Sequence, residues 1–221
     1  MVVVHHLNNS RSQRVLWLLE ELGVPYEARR YERDPKTMLA PPSLLAIHAL
    51  GKSPVIVDGD ATIAESGAII EYLVDKYGKG ALIPPAGTPQ RLRYTYWLHY
   101  AEGSVMTPLL FKLVFNRIAA NPTPWPVSAV VRRIVATVTD SFIAPNLTRH
   151  LDFIEAELGA HPWFAGEQFT AADVQMSFPL EIAVPRAGLN ASRPKSMAFL
   201  DRIHARDAYK RALERGGKYD Y

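Results

Sequence analysis

VVVHHLNNSRSQRVLWLLEELGVPYE, residues 2–27, is the stretch on which the fold turns. Its first five residues open on a β-branched run of strand length. Residues 12–23 then carry Val15, Leu18, Leu19 and Leu22 at helical spacing, with Gly23 as the stop. Strand, turn and helix follow in that order. After the break at Gly23-Val24-Pro25, residues 26–31 form a second strand.

Downstream, Pro41-Pro42 opens a short helix, and residues 54–58 are again β-branched. Asp58-Gly59-Asp60 makes a tight hairpin turn into residues 61–64. Ile69, Tyr72, Leu73 and Tyr77 then mark one face of a helix that stops near Gly78. The order is βαβ, a short helix, then ββα, which is an α/β thioredoxin-like arrangement. Between residues 79 and 89 the composition shifts to Gly, Pro, Ala and Thr, a linker signature. We place a thioredoxin-like domain at residues 1–82, the linker at 83–88 and an all-α helical-bundle domain at 89–221. Two long helices are expected there, at about 89–120 and 127–159, around a proline-rich loop at 121–126. Leu147, Leu151, Ile154 and Leu158 stripe the second, and Pro145 should kink it. Two or three shorter helices follow, and Gly216-Gly217 leaves a mobile tail. No internal repeat is visible.

The 221 residues contain no cysteine, which excludes disulfides, a CxxC centre, a thiolate nucleophile and cysteine-held metals. Any thiol chemistry must use a thiol brought from outside. Lys and Arg number 25 against 22 acids, and the basic residues are interleaved with acidic or apolar ones, so nucleic acid is not an expected partner. The opening lacks a secretion signal, and the apolar run at 106–120 is broken by Lys112, Asn116 and Arg117, so we expect a soluble cytoplasmic protein without a membrane partner.

Several motifs fail on inspection. Gly51-Lys52-Ser53 copies the end of a phosphate loop, but Ala46 stands where its first glycine belongs and Pro54 forbids the helix it must feed. The seven histidines form no HExxH, and adjacent His5 and His6 on a strand point to opposite faces, so no metal site is expected. Neither GxSxG nor GxGxxG occurs.

Five segments in register carry a resemblance: the opening above, IHALGKSPVIVDGD (residues 47–60), ESGAIIEYL (65–73), the linker, and FTAADV (169–174). Together they resemble the glutathione transferase superfamily, especially its bacterial and fungal members, over residues 2 to about 213. The resemblance implies a cis proline at Pro54, with Val55 pairing through its backbone to the cysteinyl part of glutathione; an edge-strand proline is the plainer alternative. It implies that Glu65 and Ser66 hold the γ-glutamyl end. A carboxylate suits an ammonium, and a hydroxyl beside free helix N–H groups suits a carboxylate, although Ser66 can equally be a plain N-cap. Lys52 would meet the glycyl carboxylate, or simply be solvated. Thr170 and Asp173 form a capping box with Phe169 as staple, a structural feature.

The resemblance also implies an electrophile pocket walled by Leu7, Asn8, Tyr100, Phe111 and Phe115, although aromatics on a long helix more often belong to a core. Glu102 lies where relatives reach toward glutathione or across a dimer. A homodimer through the first long helix is implied as well.

The implied activity is glutathione transfer, with glutathione as co-substrate, no further cofactor, and a small hydrophobic electrophile or a peroxide as second substrate. A non-catalytic ligand-binding or regulatory protein of the same fold is the alternative. A free thiol has a pKa of about 8.5, and lowering it by about two units requires roughly 2.7 kcal/mol of preference for the anion. Relatives place Tyr, Ser or Cys in the loop after strand one. Here the loop is Asn8-Asn9-Ser10-Arg11-Ser12, without tyrosine or cysteine. Ser10 is placed first as thiolate donor because a hydroxyl rotates freely, and Asn9 second because register favours it. Ser12 is expected to cap the helix, and Asn and Ser are also ordinary turn residues.

Overall fold

The computed structural model describes residues 1–217 and Tyr219. Most of the tail beyond Gly217, expected to be mobile, lies outside the described residues. The N-terminal part contains β1 (Val2–Leu7), α1 (Ser12–Leu22), β2 (Tyr26–Tyr31), a 3-10 turn (Pro42–Ala46), β3 (Val55–Asp58), β4 (Ala61–Ala64) and α2 (Ser66–Tyr77). Its sheet has the order β2-β1-β3-β4, with β1 parallel to β2 and β3 antiparallel to both of its neighbours. That is the thioredoxin-like topology with which the sequence pattern agrees.

Gly23 ends α1 in a left-handed conformation, and the N–H of Val24 reaches back to the Leu19 carbonyl. The hairpin pairs Asp58 directly with Ala61. On α2 the buried stripe is Ile69, Ile70, Leu73 and Val74. Tyr72 and Tyr77 flank it, and their hydroxyls donate to Asp58, whose carboxyl the neighbouring Lys76 and Tyr77 hold down at about 2.

The second part is helical: α3 (Pro89–Tyr100), α4 (Met106–Ala120), α5 (Val127–Val138), α6 (Ala144–Ala160), α7 (Ala171–Ala187), α8 (Pro194–His204) and α9 (Asp207–Gly216). Both expected long helices are interrupted by wide π turns, at Ala101–Val105 and Thr139–Ile143. Pro108 and Pro145 follow these turns closely. A proline ring clashes with the carbonyl four residues earlier, and one extra residue in the turn relieves that clash. Only the second interruption was legible from the sequence. Leu147, Leu151, Ile154 and Leu158 are all buried, as their spacing requires.

The later helices are not all short, because α7 has 17 residues and is buried all round from Ala171 to Ala183. It is the axle of the helical part. Thr170 and Asp173 form the capping box at its start. Phe169 packs on Trp17 of α1 and on Trp163, so the staple also bolts the two parts together.

Candidate functional site

Strand register brings three segments to one end of the sheet. β1 and β4 run the same way and β3 runs against them, so Leu7, Val55 and Ala64 lie at the same edge. The loop 8–11, the segment ending at Pro54 and the start of α2 therefore converge there.

In the first segment, the Asn8 N–H donates to the Tyr31 carbonyl, and Asn8 Oδ1 accepts from the Arg33 N–H at 3.0 Å. Asn8 is thus committed toward the end of β2. Asn9 has φ 46°, a left-handed conformation that asparagine tolerates. Ser10 is only 4% exposed, with its Oγ 2.7 Å from that of Ser12 and accepting the Ser12 N–H at 3.3 Å. Ser12 is the first helical residue rather than the cap, and its hydroxyl meets His6 Nδ1 at 2.8 Å. The capping bond falls to Ser10 because Arg11 already has helical backbone angles.

In the second segment, the Ser53 hydroxyl donates to the His5 carbonyl at 2.8 Å and accepts from the Leu7 N–H, tying the Lys52 loop to β1. The Ser53–Pro54 bond is cis, as the resemblance implies, and Lys52 is exposed. The Trp125–Pro126 bond is cis as well, which the sequence did not suggest.

At the third segment, Glu65 is exposed at φ 70° and Ser66 is the first residue of α2, not its cap. The N–H groups of Ser66, Gly67 and Ala68 precede the first intrahelical bond, from Ile69 to Glu65. Arg14 Nη2 donates to Ser66 Oγ at 3.0 Å, so the serine's own hydrogen remains to be given.

Arg14 is the residue that sequence reasoning missed. It is 1% exposed, donates to the Gln175 carbonyl of α7, and shares Glu102 with Arg11. Both guanidinium groups lie over the Phe178 ring at about 5 Å. Burial pushes the Glu102 carboxyl up, but Arg14 and Arg11 more than offset this and hold it below its ordinary range. The missed signal was available: Arg14 stands one turn before Leu18, on the face that has to be buried.

The expected pocket wall separates on inspection. Leu7 is buried in β1. Tyr100 is core: its hydroxyl meets His150 Nδ1, and its ring packs with Trp97 and Phe153. Two residues along a helix turn through about 200°, so Tyr100 faces away from Glu102. Phe111 is partly exposed beside Phe142, at 6.2 Å between ring centres, and Phe115 is half-buried against the core. A crevice of about 940 Å³ between the linker and residues 165–170 shares no residue with the sheet-end site.

The N-terminal domain model of glutathione S-transferases matches residues 10–76, and the C-terminal domain model matches residues 144–207. Glutathione S-transferase 3 of Schizosaccharomyces pombe is 41% identical over 180 residues, covering 81% of this chain and 73% of that protein. The chain belongs to the glutathione S-transferase family. A crystal structure of a glutathione S-transferase from Actinobacillus pleuropneumoniae superposes with a TM-score of 0.82 at 32% identity, covering 98% of this chain and 93% of that one. A glutathione transferase family member from Pseudomonas fluorescens, solved with two glutathione molecules bound, gives a TM-score of 0.75 at 25% identity over 96% and 92% of the two chains.

This transferase is accordingly an enzyme with glutathione as co-substrate. Among the described residues no group of three or more His, Asp or Glu side chains is placed to hold a metal, and no helix is long and apolar enough to cross a membrane.

Proposed function

We propose that glutathione lies along this end of the sheet, with its γ-glutamyl group at Glu65 and Ser66, its cysteinyl backbone on Val55 after Pro54, and its glycyl carboxylate toward Lys52. The observation carrying this reading is the start of α2. There a hydroxyl oriented by Arg14 and the first helical N–H groups can bind a carboxylate, while exposed Glu65 can accept from the adjacent ammonium. An amino-acid zwitterion needs both signs side by side.

The sulfur then falls by the loop 9–11, next to the N-terminus of α1. One or two charge-assisted hydrogen bonds and the helix dipole supply the roughly 2.7 kcal/mol needed to favour the thiolate. The inward bonding of Ser10 favours Asn9 over Ser10 as donor. The thiolate attacks a small hydrophobic electrophile, and positioning of the two reactants supplies the second part of the acceleration. We assign Phe111 and Phe115 to the wall of the electrophile's pocket, with Leu7 and Asn8 below it at the end of β1; Tyr100, turned into the core, is not part of that wall.

We further propose a cytoplasmic homodimer acting in detoxification, with domains at 1–82 and 89–221 joined by the linker at 83–88. The test is glutathione affinity together with turnover of a chromogenic aryl halide in Glu65→Ala and Ser66→Ala. Affinity should fall about tenfold, the scale of one charge-assisted hydrogen bond, with the saturated rate largely kept because both groups are remote from sulfur. A steep loss of saturated rate at unchanged affinity would sink this assignment.

A further inference from the structure

His6 stands in β1 beneath the loop that would hold the sulfur. Its Nδ1 lies 2.8 Å from the Ser12 hydroxyl, which lies 2.7 Å from that of Ser10. On the far side of the ring, Nε2 faces Gly216, the last residue of α9. A Cβ on Gly216 would come within 3.3 Å of Nε2, 3.0 Å of Leu16 Cδ1 and 2.4 Å of Gln13 Oε1, so only glycine lets the helix end approach this closely. Arg30 of β2 donates to the carbonyls of Glu214 and Arg215 and pins the same helix end.

The direction of this chain of bonds follows from counting hydrogens. Burial keeps the His6 ring neutral and lowers its pKa to about 4; the Gly216 backbone pulls the other way, as a carbonyl acceptor does, and the Arg30 charge adds to the lowering. A neutral imidazole has one N–H and a carbonyl only accepts, so the hydrogen belongs on Nε2 and Nδ1 accepts from Ser12. Ser12 Oγ also lies 3.3 Å from the Leu7 carbonyl; its single hydrogen goes to the shorter contact, at 2.8 Å to Nδ1, and Ser12 then accepts from Ser10. Ser10 Oγ meanwhile accepts the Ser12 N–H. The opposite tautomer would turn Ser12 round and release the Ser10 hydrogen.

We infer that His6, held by the end of α9 at Gly216, is a positioning residue for the thiol: through Ser12 and Ser10 it fixes the loop and directs the Ser10 hydroxyl hydrogen away from sulfur, leaving Asn9 and the backbone to meet the thiolate. The inference rests on the proposed seating of glutathione and couples the C-terminal helix to the reactivity of its sulfur.

The experiment has two arms on the full-length protein. Nitrogen-15 NMR of the labelled histidine rings should show His6 neutral at pH 7 with its hydrogen on Nε2; an Nδ1–H ring overturns the relay, whatever glutathione does. Ultraviolet titration of the bound thiolate should show His6→Leu and Gly216→Ala moving the thiol pKa in the same direction by about half a unit or more, a fraction of one charge-assisted hydrogen bond. His6→Asn, which keeps an acceptor near the place of Nδ1, should restore it. Equal thiol pKa values in wild type and His6→Leu, or no rescue by His6→Asn, overturn the coupling. A wild-type thiol pKa as high as that of free glutathione marks the failure of the thiolate reading itself and removes the coupling with it.

Discussion

Replacing Asp173 by alanine removes the acceptor for three donors at the start of α7. Its carboxylate takes the Phe164 N–H at 2.9 Å, the Thr170 N–H at 2.7 Å and the Thr170 hydroxyl at 3.0 Å, and it is 0% exposed. Alanine leaves two buried backbone N–H groups unpaired, at about 1–3 kcal/mol each. Relief of the carboxylate's own desolvation offsets part of this, and a net loss of about 3 kcal/mol remains. For a chain of this length that corresponds to ~6–12 °C in Tm. Asp173 also sets a pH signature. Burial raises its carboxyl to about 6, against hydrogen bonds from Phe164 and Thr170 that lower it. Because the folded pKa exceeds the unfolded one, the native protein holds the extra proton between about pH 4 and 6, and this group's contribution to stability falls as pH rises through that window. Asp173→Asn abolishes that slope while keeping one acceptor, and should lose less stability than alanine. Urea denaturation of the three proteins from pH 4 to 7 measures both effects. The reasoning fails if Asp173→Ala melts within 2 °C of wild type, or if Asp173→Asn keeps the wild-type slope.

Thr170→Ala should lower Tm by less than Asp173→Ala, and the double variant by less than the sum, since both belong to one box; additive losses in a thermal scan would contradict this. His6 has the opposite pH sign to Asp173: its folded pKa of about 4 lies below the unfolded 6.5, so its contribution is full above pH 6.5 and is lost as pH falls toward 4, which His6→Asn should flatten in the same denaturation series. Asn9→Ala should raise the pKa of bound glutathione by about one unit and Ser10→Ala by clearly less, read from thiolate absorbance; the reverse order would return the donor role to Ser10. Glu102→Gln keeps the side-chain shape but leaves the buried Arg14 cation short of a counter-charge. It should cost about 2–4 kcal/mol, reduced by the partial exposure of Glu102, and should weaken glutathione binding through misorientation of Ser66, measured by calorimetry and denaturation.

The elements were legible where a pattern repeats. Leu147, Leu151, Ile154 and Leu158 announce a helix because burial acts on every turn alike, and Val15, Leu18 and Leu19 do the same for α1. The π turns were poorly legible because a single extra residue shifts the phase of the stripe without erasing it. The loop 8–12 was less legible still. Asn-Asn-Ser-Arg-Ser has no periodicity, and whether Ser10 or Ser12 caps α1 depends on where helical backbone angles begin, which is a difference of two residues. The glutathione contacts we propose at Pro54, Val55, Glu65 and Ser66 were readable only as a resemblance, since spacing alone does not say that three chain segments meet. Register in the sheet does. Tyr100 illustrates the opposite case, because an aromatic on a long helix has two faces to choose from and the sequence does not say which one His150 and Phe153 occupy.

The position of the loop 8–11 is decided by the helical part as much as by the sheet. Arg11 and Arg14 leave α1 toward Glu102 in the turn after α3, and Arg14 continues to the Gln175 carbonyl in α7. His6 below the loop faces the end of α9. The matched N-terminal segment, residues 10–76, holds Lys52, Val55, Glu65 and Ser66 but none of Glu102, Gln175 or Gly216. A guanidinium as buried as that of Arg14 costs several kcal/mol without its counter-charge, so the isolated α/β part would either expose Arg14 or bury it unpaired. Both outcomes shift the first turn of α1, from which Asn9 and Ser10 hang, and exposing Arg14 also removes the donor that orients Ser66. The thioredoxin-like sheet therefore carries the contacts we propose for glutathione, while the helical part fixes their geometry through two arginines and a glycine.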